Sequence, residues 1–245
     1  MSDDANSQTL KAVLGLRGMI VDGVLAAGAR VAEPLLVEKF GVSRTPARMA
    51  LVQVRDEGLL ETIPSGGFVV ASFSEQDIRE AIEIRGTFEG MAARYAAERG
   101  VSPTLLAPLE KCVAALDGVI AQSTASFDLN DYVRLNDRFH ELLVDCAQSV
   151  MIKRSLQRII SLPFAAPNAF IMSSRSNSTG VRDILFVSQE QHRSIVDAIK
   201  NRQGTRAESI AIEHSRSAWK YLELAMHDEE QMIQWPGLRL MASPG

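Results

Sequence analysis

Gly41-Val42-Ser43-Arg44-Thr45-Pro46-Ala47-Arg48 is the stretch on which the reading of this chain turns. Gly41 breaks a short helical segment, and Ser43 is a residue type that caps a new one. Pro46 falls within the first turn, where the N–H it lacks would have no partner in the helix. The helix begun at Ser43 runs to about Glu57, with Met49, Leu51, Val52 and Val54 as the apolar positions expected to hold it down. Arg44 and Arg48, four residues apart, project from one face.

On the N-terminal side, residues 8–28 read as an amphipathic helix with Leu10, Val13, Leu14, Ile20, Val24 and Leu25 near helical spacing, closed by Gly28. A short second helix follows from Leu35 to about Lys39, with Pro34 at its start. On the C-terminal side the period changes: Leu59 to Ile63 and Phe68 to Val70 are short extended runs, separated by the turn signal Pro64-Ser65-Gly66-Gly67. Three helices and a small hairpin have the shape of a winged helix-turn-helix over residues 1–72. In such a unit the third helix enters a DNA major groove, its end on phosphate and its face on base edges. Ser43 and Thr45 offer hydroxyls at that end, Arg44 and Arg48 offer guanidinium forks, and the slim Gly66 tip lets backbone approach DNA.

Charge bears on this locally. The chain of 245 residues has a formal net charge of −4, which does not advertise a nucleic-acid partner. Residues 39–55, however, hold Lys39, Arg44, Arg48 and Arg55 with no Asp or Glu. A basic run is usually a solvated face. Here the order of elements around it agrees with the DNA reading.

The composition, 46% hydrophobic and 23% charged, is that of an ordinary globular chain with real cores. No run of 18 apolar residues suggests a membrane span, and the polar, acidic start at Met1-Ser2-Asp3-Asp4 is unlike a signal peptide. Cys112 and Cys146, far apart, suit a reducing compartment; the expected location is cytoplasmic. From residue 73 to 235 the pattern is helical, with helices over about 74–99, 103–122, 129–147, 150–161, 182–201 and 204–227. Residues 161–180 read as partly irregular, and 236–245 as a loosely packed tail. The predicted fold class is therefore mainly α: an N-terminal winged helix-turn-helix and a C-terminal all-α antiparallel bundle.

Three of the four histidines interrupt apolar helix faces. Asn136 and His140 share a stripe with Val133, Leu143 and Ala147. His192 lies among Leu185, Val196 and Ile199, and His214 among Ile210, Ala218 and Tyr221. His227 reads as a surface residue. Imidazoles aimed inward from separate helices of a bundle suit a first-row divalent metal such as Zn²⁺ or Ni²⁺. Spacing alone leaves two readings open: a metal or polar-ligand site, or satisfied core histidines. Arg85 similarly interrupts the stripe of Ile78, Ile82, Phe88 and Ala92. A buried guanidinium suits a ligand carboxylate; the plainer alternative is a pair with Glu89 one turn on.

Residues 10–71 resemble the GntR family of bacterial regulators. The likeness is carried by Ala27-Gly28-Ala29-Arg30-Val31, the Gly41–Arg48 stretch, Asp56-Glu57-Gly58-Leu59-Leu60 and Gly66-Gly67. It implies DNA contacts from Ser43, Arg44, Thr45, Arg48 and Gly66. Pro34 stands where family members often carry a basic residue. Residues 74–227 resemble the FCD effector domain of the FadR-like subgroup, through Ile82-Glu83-Ile84-Arg85-Gly86, Phe88-Glu89-Gly90, Asn136-Asp137-Arg138-Phe139-His140, Gln191-His192-Arg193-Ser194-Ile195 and His214. That likeness implies a homodimer, an operator with two-fold symmetry, and an effector site built from Arg85, Asn136, His140, His192 and His214. It also implies a metal on His140, His192, His214 and the residue at 136, where Asn136 replaces the family's usual Asp. Asp137 points about 100° away on the helix and is a poor substitute. Asp77 to Arg85, Ala92-Ala93-Arg94 and Pro163-Phe164-Ala165-Ala166 resemble vanillate-responsive repressors, which implies a small organic acid, an aromatic one in that case, with Phe164 and Phe170 able to stack on its ring.

Taken together, these readings describe a DNA-binding regulator, a repressor, controlled by a small carboxylate. The rival is a metal-dependent hydrolase on the three histidines. It lacks a general base beside them and leaves the N-terminal unit unexplained.

Overall fold

The computed structural model describes residues 2–122, 127–169, 171, 179–226 and 240–241. Of these, 2–77, 161–163 and 240–241 belong to one compact unit and the rest to a second.

The first unit is a winged helix-turn-helix. Helix α1 (Ser2–Val21) turns Ala12, Val13, Leu16 and Ile20 inward. They meet Leu36 of α2 (Glu33–Phe40) and Ala47, Ala50, Leu51 and Val54 of α3 (Arg44–Asp56). Three short strands close the core: β1 (Arg30–Val31), β2 (Leu60–Thr62) and β3 (Phe68–Val70), antiparallel in the order β1-β3-β2. Val69 faces Arg30 on one side and Glu61 on the other. Arg17 forks onto Glu57 through Nε (2.6 Å) and Nη2 (2.5 Å), fastening α1 to the residue that caps α3.

Four expectations change here. Helix α1 ends at Val21, and left-handed Gly23, not Gly28, first turns the chain; Val24 is exposed. Strand β1 was not anticipated, because two residues carry no readable period. Met49 is 54% exposed and does not hold α3 down, since Ala47, Ala50, Leu51 and Val54 already fill its buried side. Leu240, assigned to a loose tail, is fully buried in the first core.

The second unit is helical: α4 (Glu75–Arg99, whose first turn belongs to the first unit), α5 (Pro103–Ile120), α6 (Leu129–Cys146), α7 (Val150–Ile160), α8 (Thr179–Lys200), α9 (Gly204–Ser215) and α10 (Ser217–Met226). Helix α5 packs on α6 and α8, and α8 on α9. Gly86 of α4 brings α9 close: a Cβ there would stand 2.7 Å from Ser215 Cβ and would strike Ser215 Oγ. The single helix expected over 204–227 is two, separated at Arg216. Ser215 Oγ bonds back to Ile212 O (2.8 Å), and the Ser215 carbonyl accepts from Arg85 Nη2 (3.4 Å), which diverts that carbonyl from the helix ladder. Among the described residues, no helix is long and apolar enough to cross a membrane.

Candidate functional site

Two places in the molecule concentrate chemistry. The first is the exposed side of α3. Ser43 is its N-cap by backbone geometry, yet its side chain makes no capping bond; its N–H reaches Gln8 Oε1 at 3.3 Å. Ser43, Arg44, Thr45 and Arg48 are all exposed, so polar groups and positive charge collect at the helix's N-terminal end. Asp56 and Glu57 lie at the other end. Charge and helix dipole therefore agree: the front of α3 favours an anion and its rear does not. Arg48 Nε stands 4.0 Å from Glu33 Oε1 with both side chains exposed, a pair weak enough to exchange for another acceptor. Gly66, at the tip of the β2–β3 turn, is exposed with φ 84°, a backbone that favours glycine. The sequence-predicted residues of this surface thus all reach solvent in the first unit.

The second place is buried among α4, α6, α8, α9 and α10. His140, His192 and His214 bring their ring nitrogens together: His192 Nε2 is 3.0 Å from His214 Nε2, which is 3.4 Å from His140 Nε2. Each opposite nitrogen, Nδ1, faces an oxygen of its own. His192 Nδ1 is 3.0 Å from Gln189 Oε1. The Gln189 amide nitrogen is committed to Val113 O (3.0 Å) and Asp117 Oδ1 (2.6 Å), so its oxygen must accept and His192 Nδ1 must donate. His214 Nδ1 stands 3.2 Å from Gln191 Oε1. His140 Nδ1 lies 2.9 Å from Glu89 Oε1, a close contact outside good hydrogen-bond alignment. With protons drawn to the three Nδ1 atoms, three Nε2 lone pairs face one point. Burial, reinforced by the other histidines, lowers the pKa of His192 well below its usual value and that of His214 to about 3, so both are neutral near pH 7.

This donor set fits a divalent ion. Tetrahedral bonds of 2.0–2.1 Å would separate imidazole nitrogens by about 3.3 Å, close to the 3.0 and 3.4 Å found. His140, His192 and His214 would hold such an ion, which would act as a Lewis acid toward an anionic group.

Beside the histidines lies a small cavity of about 20 Å³, whose lining includes Arg85, Tyr132, Asn136, His140, His214 and Tyr221. Four of the five residues predicted for an effector site, Arg85, Asn136, His140 and His214, border it; His192 is fully buried behind. Arg85 is 2% exposed, and its Nε and Nη1 have no hydrogen-bond partner; neither oxygen of Glu89, 1% exposed, has one either. The plain i, i+4 hydrogen-bonded pair is therefore not formed. Burial pushes the Glu89 carboxyl up, but His140 and then Arg85 outweigh it and hold the group at about 2. Buried polar groups left unsatisfied are uncommon and costly, which makes this cluster a built site.

Asn136 donates from Nδ2 to Asn168 Oδ1 (2.9 Å), and Tyr132 Oη lies 3.4 Å from its oxygen. Asp137 is tied to Asn168 Nδ2 at 2.5 Å. Phe164 is buried but does not border the cavity; Phe170 and His227 lie outside the described residues. Sequence reading missed Gln189, Gln191, Tyr132 and Tyr221, and it took Glu89 only as an ion-pair partner. A polar residue one turn before His192 on an apolar stripe was the available signal for Gln189.

A winged helix-turn-helix with a cationic front to its third helix, on one chain with a helical bundle around a polar core, defines a class: sequence-specific DNA-binding regulators with a ligand-binding domain. Residues 8–70 match the bacterial regulatory proteins of the gntR family, and residues 80–217 match the FCD domain. The chain belongs to the GntR-family regulators that carry an FCD domain. That membership sets the hydrolase alternative aside.

The chain is 28% identical over 217 residues to the uncharacterized HTH-type transcriptional regulator YdhC of Bacillus subtilis, covering 88% of this chain and 91% of the relative. It is 25% identical to the HTH-type transcriptional repressor RspR of Escherichia coli, over 81% of this chain and 82% of that protein. The solved structure of E. coli McbR/YncC shares the fold with a TM-score of 0.61 at 20% identity, over 89% of this chain and 98% of that one.

Proposed function

We propose that this regulator is a cytoplasmic homodimeric repressor whose operator affinity is set by a small carboxylate held in the second unit. Residues 1–72, with Leu240 packed into their core, serve as the DNA-binding domain, and 73–235 as the effector-binding and dimerisation domain. Two copies of α3 read a double-stranded operator with two-fold symmetry. Arg44 and Arg48 contact base edges, while Ser43, Thr45 and Gly66 contact backbone phosphates or a groove. The effector's carboxylate meets Nε and Nη1 of the Arg85 guanidinium, with Asn136, His140, His192 and His214 around it. A divalent ion such as Zn²⁺ or Ni²⁺ sits on the three histidines, with Asn136 alongside.

The observation that carries this reading is the meeting of a buried Arg85, whose Nε and Nη1 have no hydrogen-bond partner, with three converging histidines at one cavity. Its size supplies the coupling. About 20 Å³ holds roughly one water, whereas pockets for organic ligands run to roughly 300 Å³ or more. A carboxylic acid therefore enters only by moving lining residues. It binds the rearranged form more tightly, and that difference in affinity shifts the equilibrium away from the operator-binding form.

A melting screen against aromatic, sugar and aliphatic carboxylates, each with and without chelator, tests this. A matching acid at 100 times its Kd is expected to stabilise the protein by about 2.7 kcal/mol, and Arg85→Met to abolish the shift. A panel in which no acid raises the melting temperature contradicts the proposal.

A further inference from the structure

We propose that Glu89 is the counter-charge of the buried centre, a positioning residue that acts through His140 and supplies the negative charge a divalent ion there requires. This rests on the reading of His140, His192 and His214 as metal ligands.

The argument is one of charge. Three neutral imidazoles and the neutral amide of Asn136 bring no negative charge to the place where their nitrogens converge. A divalent cation desolvated in such a site is held more tightly where a protein anion offsets its charge. Among the described residues, Glu89 is the one fully buried carboxylate. Asp137 is exposed and tied to Asn168, and Asp117 reaches the centre only through Gln189 and His192.

Glu89 also stands in the right place. Its Oε1 is 2.9 Å from His140 Nδ1, on the side of the ring away from the other two histidines. A carboxylate in that position draws the proton to Nδ1, leaves the Nε2 lone pair facing the centre, and makes the imidazole a stronger donor. Neither oxygen of Glu89 has a hydrogen-bond partner elsewhere or good alignment with His140. Gly90, next in sequence, keeps the α4 backbone close to α9: a Cβ there would come within 2.8 Å of Ile212 Cγ1.

The test is titration calorimetry with Zn²⁺ on the full chain, for the wild type, Glu89→Gln, Asn136→Asp and the double variant. Glutamine keeps an acceptor for His140 Nδ1 and removes only the charge. Glu89→Gln is expected to weaken Zn²⁺ binding about 10- to 100-fold. Asn136→Asp, which returns an anion to the same cavity, is expected to recover most of that loss in the double variant. A purely structural role for Glu89 predicts that Asn136→Asp tightens binding by the same factor with and without Glu89, whereas a counter-charge role predicts a larger gain in the Glu89→Gln background. Should Glu89→Gln not fold, Arg85→Met/Glu89→Gln removes both charges of the buried pair and is judged by the same rescue. A Glu89→Gln protein that binds Zn²⁺ like the wild type overturns the inference, as does a folded double variant with no recovery. A wild type that takes up no Zn²⁺ overturns instead the metal reading beneath it.

Discussion

Replacing Gly86 by alanine adds one methyl group at the closest approach of α4 and α9, and the structure says what that methyl meets. Its Cβ would lie 2.7 Å from Ser215 Cβ, about 0.8 Å short of an unstrained carbon–carbon contact. Ser215 Cβ belongs to the backbone frame of α9 and cannot swing aside, so the helix itself must move. Overpacking of this kind costs about 1–3 kcal/mol, while alanine in place of glycine within a helix returns about 1 kcal/mol. The net expectation is a loss of up to about 2 kcal/mol, toward the upper end because the added methyl also strikes Ser215 Oγ. His214 precedes Ser215, so the displacement also reaches the histidine centre, where ligand distances hold to about 0.2 Å. Urea unfolding followed by circular dichroism measures the stability, and Zn²⁺ titration measures the centre. Gly86→Ala/Ser215→Gly moves the space from one helix to the other and is expected to recover most of the stability. A Gly86→Ala protein as stable as the wild type would refute the packing argument.

Other outcomes follow from particular contacts. In chelator, His214, held at about 3 against an unfolded value near 6.5, destabilises the folded state as pH falls, because the unfolded chain takes the proton first. That amounts to a few kcal/mol between pH 7 and 4.5. Glu89, held at about 2, adds its own loss only below its ordinary value, so urea midpoints flat from pH 7 to 4.5 would contradict the buried, neutral His214. Arg44→Ala removes an exposed side chain: gel shift is expected to show specific operator affinity reduced by about 1–3 kcal/mol, with an unchanged melting temperature. Gly66→Val puts a β-branched residue at φ 84°, strains the wing, and is expected to weaken operator binding without disturbing the effector unit.

How much of this was legible beforehand depends on how local each signal is. The turn at Gly41 to Ser43 and the paired arginines after it are set within eight residues, so α3 and its exposed face could be read directly. The wing followed from a change of period at Gly58. Strand β1 was invisible because its pairing with β3 is its only definition. At the break at Arg216 the Ser215 carbonyl accepts from Arg85, 130 residues away in sequence, and no helical pattern around 216 announces it. The histidines stood out because each interrupts an apolar stripe. Their Nδ1 partners did not: Glu89, Gln189 and Gln191 are ordinary polar residues until the bundle brings them against imidazole rings. Met49 misled because apolar character was taken for burial, while alanines already filled the inner side of α3.

The claim that a buried carboxylate site governs DNA binding is tested most directly by fluorescence anisotropy of the full chain on a fragment of its own promoter. The acid chosen by the melting screen is titrated in, with scrambled DNA as control. The expected result is specific binding that the acid weakens in the wild type and leaves unaltered in Arg85→Met. Equal affinity for promoter and scrambled DNA, or a response to acid that survives Arg85→Met, would contradict it.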